Sequence, residues 1–341
     1  MNNARPTVDA LARWWSADEE TPWVVETSGS TGRPKRVVLS RAAVRASVEL
    51  SARRVGGTGR WLLALPASYV AGVNVITRSL AAGAPPVLLE EHASFRDAAR
   101  ELGPGGFVSL VPTQLQRLLA EPADAEALAG FHTVLLGGGP IDPSLRARAA
   151  AAGVRVLGTY GSAETCGGCV YDGLPFDGVG LAIGADGRVR ISGPTLFSGY
   201  QDDPALTAEV LVDGWFLTSD AGRIDEDGRL QLLGRIDDMV VTGGLNVPAA
   251  LVARRLREHP AVESAEVLGV PDEEWGNRLV AFVAARDDAG EVSLEEAREW
   301  VAAAHPRAWA PRQLLVLPRI PLLGNGKPDR LALRALAETG R

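Results

Sequence analysis

Short apolar runs alternate with longer segments of helical periodicity through the first half of this chain, and no other feature limits its possible folds as strongly. The runs are WVVE (23–26), VVLS (37–40), WLLAL (61–65), PVLLE (86–90), FVSLV (107–111), TVLLGGG (133–139) and VRVLGTYG (154–161). Between them lie RAAVRASVELSARR (41–54), which follows a possible N-cap at Ser40, and PSLRARAAAAG (143–153), which follows Asp142 with proline at the first helical position. Strands apolar on both faces need helices above and below them, so the pattern predicts an α/β fold with largely buried strands.

After about Gly187 the pattern changes to the short runs GRVRISG, GWFLTSD and GRLQLLGR, separated by turn signals such as DGR and EDG, which predicts a β-rich portion. After Asp237 a compact α+β set begins. VPAALVARRLREH and LEEAREWVAAA read as helices, ESAEVLGVP and RLVAFVAA as strands, and a further strand leads to LLGNGKPDR. A length of 341 residues exceeds what one core usually serves. Two domains are expected, a large one over 1–236 and a small one over 237–341.

Several function classes are disfavoured. The net charge is −7 and the basic residues are scattered, so no nucleic-acid surface is expected. The first residues, MNNARPTVDALARWW, lack a signal pattern, and the apolar stretch 61–89 is broken by Pro66, Arg78, Pro85 and Pro86. A cytoplasmic protein without membrane insertion is expected. Cys166 and Cys169 form a single CxxC with only four histidines in the chain, which favours two reduced thiols over a zinc or redox centre.

The stretch TSGSTGRPK (27–35) gathers hydroxyls, glycines and a lysine. It fails the Walker A pattern because Pro34, not glycine, precedes Lys35. Glycines still let backbone N–H groups turn toward an anion while hydroxyls and an ammonium add donors, so an anion-binding loop and a plain Gly/Ser hairpin turn are both open. Downstream come TYGSAET (159–165), GWFLTSD (214–220), GRIDDMVVTGG (234–244) and LLGNGK (322–327). In this order the five motifs resemble those of the acyl-adenylate-forming superfamily, which includes acyl-CoA synthetases, luciferases and adenylation domains of peptide synthetases.

That resemblance implies a truncated large α/β and β-rich adenylate-forming domain followed by a small mobile α+β domain, with ATP and CoA as co-substrates and Mg2+ as cofactor. It implies that Thr27, Ser28, Ser30, Thr31 and Lys35 hold the β- and γ-phosphates. Tyr160, with Thr159, lies beside the adenine, and the turn of Gly137, Gly138 and Gly139 lies on the other side. Glu164, followed by Thr165, is the magnesium ligand, and Asp220 with Arg235 binds the ribose. Lys327 is the catalytic lysine, Asp237 the hinge, and Gly243-Gly244 the face offered to the CoA thiol. Structural or surface roles remain the alternatives for each residue singly.

Within the superfamily, LPASYVAGVNVITRSLAAG (65–83) and TCGGCVYDG (165–173) resemble o-succinylbenzoate-CoA ligases of menaquinone biosynthesis, and the chain's length resembles compact actinobacterial-type members. Such a substrate is an aromatic dicarboxylate whose second carboxylate needs a counter-charge. Arg78 is the candidate, with Tyr69 and Gly161 also on the acid side. If 70–80 is a helix, Arg78 shares a face with Ala71 and Val75; a snorkelling arginine at the helix edge is the alternative. Only 26 residues precede Thr27, so part of the usual first subdomain is expected to be missing, which leaves the acid pocket and oligomeric state open. Ser68-Tyr69 stands where many relatives place a histidine or another aromatic. Another acyl- or aryl-CoA synthetase is the nearest alternative function, and a nonenzymatic nucleotide-binding module a remote one.

Overall fold

The computed structural model describes residues 3–27, 34–286, 290, 292–322 and 328–339. Ser28, Ser30, Thr31 and Lys327 lie outside the described residues, as does the side chain of Asp237. The chain divides into two compact units, one of residues 1–184, 190–218 and 224–230, the other of 185–189, 219–223 and 231–341.

In the first unit, β1 (Trp23–Thr27) and β2 (Lys35–Leu39) pair antiparallel as far as Thr27↔Lys35, so the two ends of the TSGSTGRPK motif sit on neighbouring strands. The apolar runs that follow become β3 (Trp61–Leu63), β4 (Val87–Leu88), β5 (Phe107–Leu110), β6 (Thr133–Leu136) and β7 (Val156–Ser162). With β8 (Gly167–Tyr171) and β9 (Leu174–Pro175) they make a seven-stranded sheet in the order β4-β3-β5-β6-β7-β8-β9. The strands from β4 to β7 run parallel, while β8 and β9 turn back antiparallel. Every residue of β3, β5 and β6 is buried, as both-face apolar strands require.

Helices α2 (Arg41–Val55) and α7 (Pro143–Ala151) form where their caps predict. Ser40 Oγ accepts the Ala43 N–H at 3.1 Å, and Asp142 Oδ1 accepts the Ser144 N–H at 2.7 Å. The periodicity did not single out α1 (Arg5–Ser16), α4 (Phe95–Leu102), α5 (Pro112–Ala120) or α6 (Pro122–Ala129), which are short and rest on tertiary packing rather than on a long repeat. Phe95, Leu115, Leu128 and Leu145 close over Leu62, Val108, Leu110, Val134 and Leu136 in one buried cluster.

Helix α3 (Val70–Ala81) decides between the two readings of Arg78. Residues 72–79 are all buried, while Ala71 in the first turn is exposed, so the helix is embedded on nearly all sides and Arg78, on the face of Ala71 and Val75 as helical spacing expects, is buried rather than snorkelling at an edge.

Short strands dominate the next stretch, with β10 (Gly180–Ile183), β11 (Arg188–Ser192), β12 (Gly199–Tyr200), β13 (Leu211–Val212), β14 (Trp215–Ile224) and β15 (Leu230–Arg235), interrupted by α8 (Pro204–Val210). Strand β12 adds to the free edge of β2, pairing Tyr200 with Val37.

The second unit holds the hairpin of β16 (Met239–Thr242) and β17 (Leu245–Pro248), then α9 (Ala249–Arg257). A three-stranded sheet follows, with β18 (Val262–Asp272) antiparallel to β19 (Gly276–Ala285) and β19 parallel to β20 (Gln313–Leu317). Helix α9 and α10 (Leu294–Ala302) pack through Val252, Leu256 and Val301 on Val267, Ala281 and Val283. On the opposite face Leu333 of α11 (Arg330–Thr339) meets Val280 and Phe282. Among the described residues no helix is long and apolar enough to cross a membrane.

Candidate active site

The parallel sheet ends at a built corner where β7 turns into β8 through the single 3-10 turn Ala163–Thr165. Thr165, fully buried, ties the turn from inside. Its Oγ1 accepts the Ser162 N–H at 2.9 Å and donates to the Gly167 carbonyl at 2.7 Å. Cys166 then takes a left-handed conformation (φ 51°), and its carbonyl accepts from Asn74 Nδ2 at 2.7 Å and Ser47 Oγ at 3.1 Å. Helices α2 and α3 thus brace the turn from behind. Gly161 has no room for a side chain, since a Cβ there would lie 2.0 Å from the Gly167 carbonyl oxygen.

This bracing presents Glu164, 9% exposed. The Tyr200 hydroxyl donates to its Oε1 at 2.7 Å, and its main-chain carbonyl accepts the Phe197 N–H at 2.9 Å. Burial, and then the Glu164 charge, push the Tyr200 phenol far above its ordinary range, so it stands as a donor. Lys35 Nζ lies over the Tyr200 ring, 5.2 Å from the centroid. The structure therefore joins two candidates, Lys35 and Glu164, through a residue that the sequence reading missed. Tyr200 sits on a two-residue strand 36 positions from Glu164, and neither periodicity nor spacing marks it.

The glycine turn and the TYG strand also meet. Strands β6 and β7 are in register at Leu136↔Gly158, and a Cβ on Gly137 would fall 2.4 Å from Thr159 Oγ1. Gly138 is left-handed at φ 77°. Tyr160 pairs across β8 with Val170.

On the acid side the candidates are spread. Tyr69 caps α3 and is half-exposed, whereas Arg78 lies nine residues on, about 13 Å along the helix axis. Arg78 is buried and donates from NH2 to Tyr171 Oη at 3.1 Å, and its guanidinium lies 5.1 Å from the Trp61 ring centroid. Tyr171 Oη also shares a hydrogen bond with Ser51 Oγ at 2.9 Å. Arg78 Nε finds no partner, and among the described residues no carboxylate pairs with this guanidinium.

The cysteines are free and buried, Cys166 ending the 3-10 turn and Cys169 within β8. Burial pushes both thiols up to about 12. Iodoacetamide at mildly alkaline pH is expected to leave the folded protein unmodified and to alkylate both thiols after denaturation. Mass spectrometry of the two samples checks this, and a modified folded protein would overturn it.

In the second unit Arg235 Nε approaches Asp220 Oδ1 at 3.7 Å, so the proposed ribose pair is an ion pair of two partly exposed groups. Asp237 lies in the 3-10 turn Ile236–Asp238, just before β16. Gly243 and Gly244 form the two-residue turn of the β16–β17 hairpin, with φ of 56° and 77°. Both positive angles are what a tight hairpin turn demands, so the glycines have a local reason to be there. Beside Gly244 there is open space, whereas a Cβ on Gly243 would meet the Trp275 ring.

No group of three or more His, Cys, Asp and Glu that could hold a metal occurs among the described residues. Glu164 nonetheless suits a hard cation held mainly by phosphate, because Oε1 is occupied by Tyr200 and Oε2 has no partner among the described residues.

The fold is shared with adenylate-forming enzymes. The chain matches the model of AMP-binding enzymes over residues 17–184 and that of the AMP-binding enzyme C-terminal domain over 252–327. It is 43% identical over 324 residues to a probable 2-succinylbenzoate–CoA ligase of Mycobacterium tuberculosis, covering 93% of this chain and 84% of the relative. Among solved structures, o-succinylbenzoate CoA synthetase from Bacillus subtilis in complex with the acyl-adenylate OSB-AMP is similar at TM-score 0.78 and 28% identity, covering 91% of this chain and 68% of that one. The amide bond synthetase McbA from Marinactinospora thermotolerans also has TM-score 0.78, at 31% identity, covering 92% and 69%. The chain belongs to the AMP-binding enzyme family.

Proposed function

We propose that this protein is an ATP-dependent ligase joining 2-succinylbenzoate to coenzyme A through an acyl-adenylate, within menaquinone biosynthesis in the cytoplasm. The observation that carries the reading is the 43% identity over 93% of the chain to the mycobacterial 2-succinylbenzoate–CoA ligase. The buried, carboxylate-free Arg78 supports a dicarboxylic substrate.

In the first step a substrate carboxylate oxygen bonds to the α-phosphorus of ATP, and the bond from that phosphorus to the bridging oxygen breaks with release of pyrophosphate. Thr27, Ser28, Ser30, Thr31 and Lys35 hold the departing phosphates, and the Lys327 ammonium stabilises charge growing on the phosphoryl oxygens. Glu164 is the residue that would hold a magnesium ion, which when bound neutralises phosphate charge. Gly137–Gly139, Thr159 and Tyr160 hold the adenine, and Asp220 with Arg235 the ribose. In the second step the CoA sulfur bonds to the acyl carbon, AMP leaves with the bonding pair, and the thiol proton passes to solvent. Residues 237–341 rotate about Asp237 between the steps, replacing Lys327 by the Gly243-Gly244 face.

The direct test mixes the purified protein with ATP, magnesium and CoA, and offers 2-succinylbenzoate beside benzoate, malonate and a fatty acid. Mass spectrometry should find 2-succinylbenzoyl-CoA as the dominant thioester. Thioester from another acid alone would keep the chemistry and discard the substrate.

A further inference from the structure

Tyr200 holds Glu164 in a way that bears on which cation the nucleotide brings. We propose that Tyr200 is a positioning residue that disfavours two-oxygen coordination by Glu164 and thereby biases the ATP site toward magnesium over calcium. The inference rests on reading Glu164 as the metal carboxylate.

Glu164 Oε1 accepts the Tyr200 hydroxyl at 2.7 Å, and both residues are buried, at 9% and 7% exposure. Water is poorly placed to substitute for that charge-assisted bond. Neither partner is free to swing away. Tyr200 is a rung between β12 and β2, flanked by hydrogen bonds from the Ser198 N–H to the Val38 carbonyl and from the Gln201 N–H to the Arg36 carbonyl, each 2.8 Å. Its own N–H goes to Thr207 Oγ1 at 2.9 Å, and the Phe197 ring meets its ring edge-on at 5.1 Å. The Glu164 carbonyl is held by the Phe197 N–H, so both ends of the contact are rooted in the segment 197–200.

The consequence follows from coordination chemistry. Calcium accepts six to eight oxygens and readily takes a carboxylate through both of them, whereas magnesium demands an octahedron and takes one oxygen from each of one or two carboxylates. Each carboxylate oxygen has two lone-pair sites, but an Oε1 that already accepts a short charge-assisted bond is the poorer ligand, so the carboxylate offers Oε2 preferentially. Two-oxygen binding would make Oε1 serve the ion and the Tyr200 hydroxyl together, weakening the buried bond to Tyr200. The Lys35 ammonium lies over the same ring, so β2 and this carboxylate meet at one aromatic side chain.

Calorimetric titration of ATP in excess magnesium chloride, in excess calcium chloride and in EDTA tests the assignment, with Tyr200→Phe, Glu164→Gln and the double variant beside the unmodified protein. Tyr200→Phe keeps the ring and removes only the hydroxyl. Its magnesium-over-calcium preference should shrink roughly tenfold, the scale on which a ligand's outer partner acts. Affinity in EDTA should stay within about twofold. In the Glu164→Gln background the Tyr200 change should have no further effect on the preference. Equal loss under all three conditions would make Tyr200 ordinary packing and overturn the proposal, as would an unchanged preference. If Glu164→Gln leaves the magnesium dependence intact, the metal reading of Glu164 fails and this inference with it. If Glu164→Gln abolishes that dependence while Tyr200→Phe is silent, only the inference fails.

Discussion

Lys327→Ala is expected to slow acyl-adenylate formation by about 10²- to 10³-fold, the cost of removing one preorganised donor from a site where negative charge develops. The ammonium acts on phosphoryl oxygens while the carboxylate displaces pyrophosphate, and no phosphoryl transfer occurs in the second step. Thioester formation from a supplied acyl-adenylate should therefore fall much less. Pyrophosphate release measures the first step, and thioester from synthetic acyl-adenylate and CoA the second. Equal losses in the two assays would remove Lys327 from a phosphoryl role and point to general damage in the small domain. The KM for ATP should change little if the lysine interacts chiefly with the transition state.

How far the sequence disclosed this architecture depends on the range of the interaction concerned. Strands β3, β5 and β6 are legible because burial on both faces leaves a continuous apolar run, and α7 because Asp142-Pro143 writes its own start. Helices α4 to α6 were not singled out, since eight or nine residues carry little periodic signal and their stability comes from packing on the sheet. The site divides in the same way. TYGSAET marks Glu164 locally, but the side chain that aims it, Tyr200, arrives from a distant two-residue strand. Arg78 shows the reverse case. The need for a counter-charge singled the residue out, and helical spacing put it on a face with Val75 but left a snorkelling arginine open, because a helical wheel cannot register that Trp61 and Tyr171 close around it.

That enclosure sets up the second large effect. Arg78→Leu should raise the KM for 2-succinylbenzoate by about 10- to 100-fold, the range for losing a hydrogen-bonded charge partner, while the KM for ATP stays within about threefold. Benzoate, which has no second carboxylate, should be used no worse by the variant than by the unmodified protein. The competing expectation is structural. Arg78 donates to Tyr171, which is bonded to Ser51, and rests near the Trp61 ring, so the guanidinium could serve only this buried polar strip. Leucine separates the two. It retains apolar volume against Trp61 and removes a buried Nε that has no partner, so the stability lost with the Tyr171 bond is partly offset. A guanidinium whose charge meets a ligand loses affinity for the dicarboxylate alone. One that only braces β8 lowers the melting temperature and leaves the ratio of the two acids unchanged, and that result would place the counter-charge on another residue. Initial rates with both acids, read beside a thermal melt of the same preparation, decide between a substrate-facing cation and a core contact.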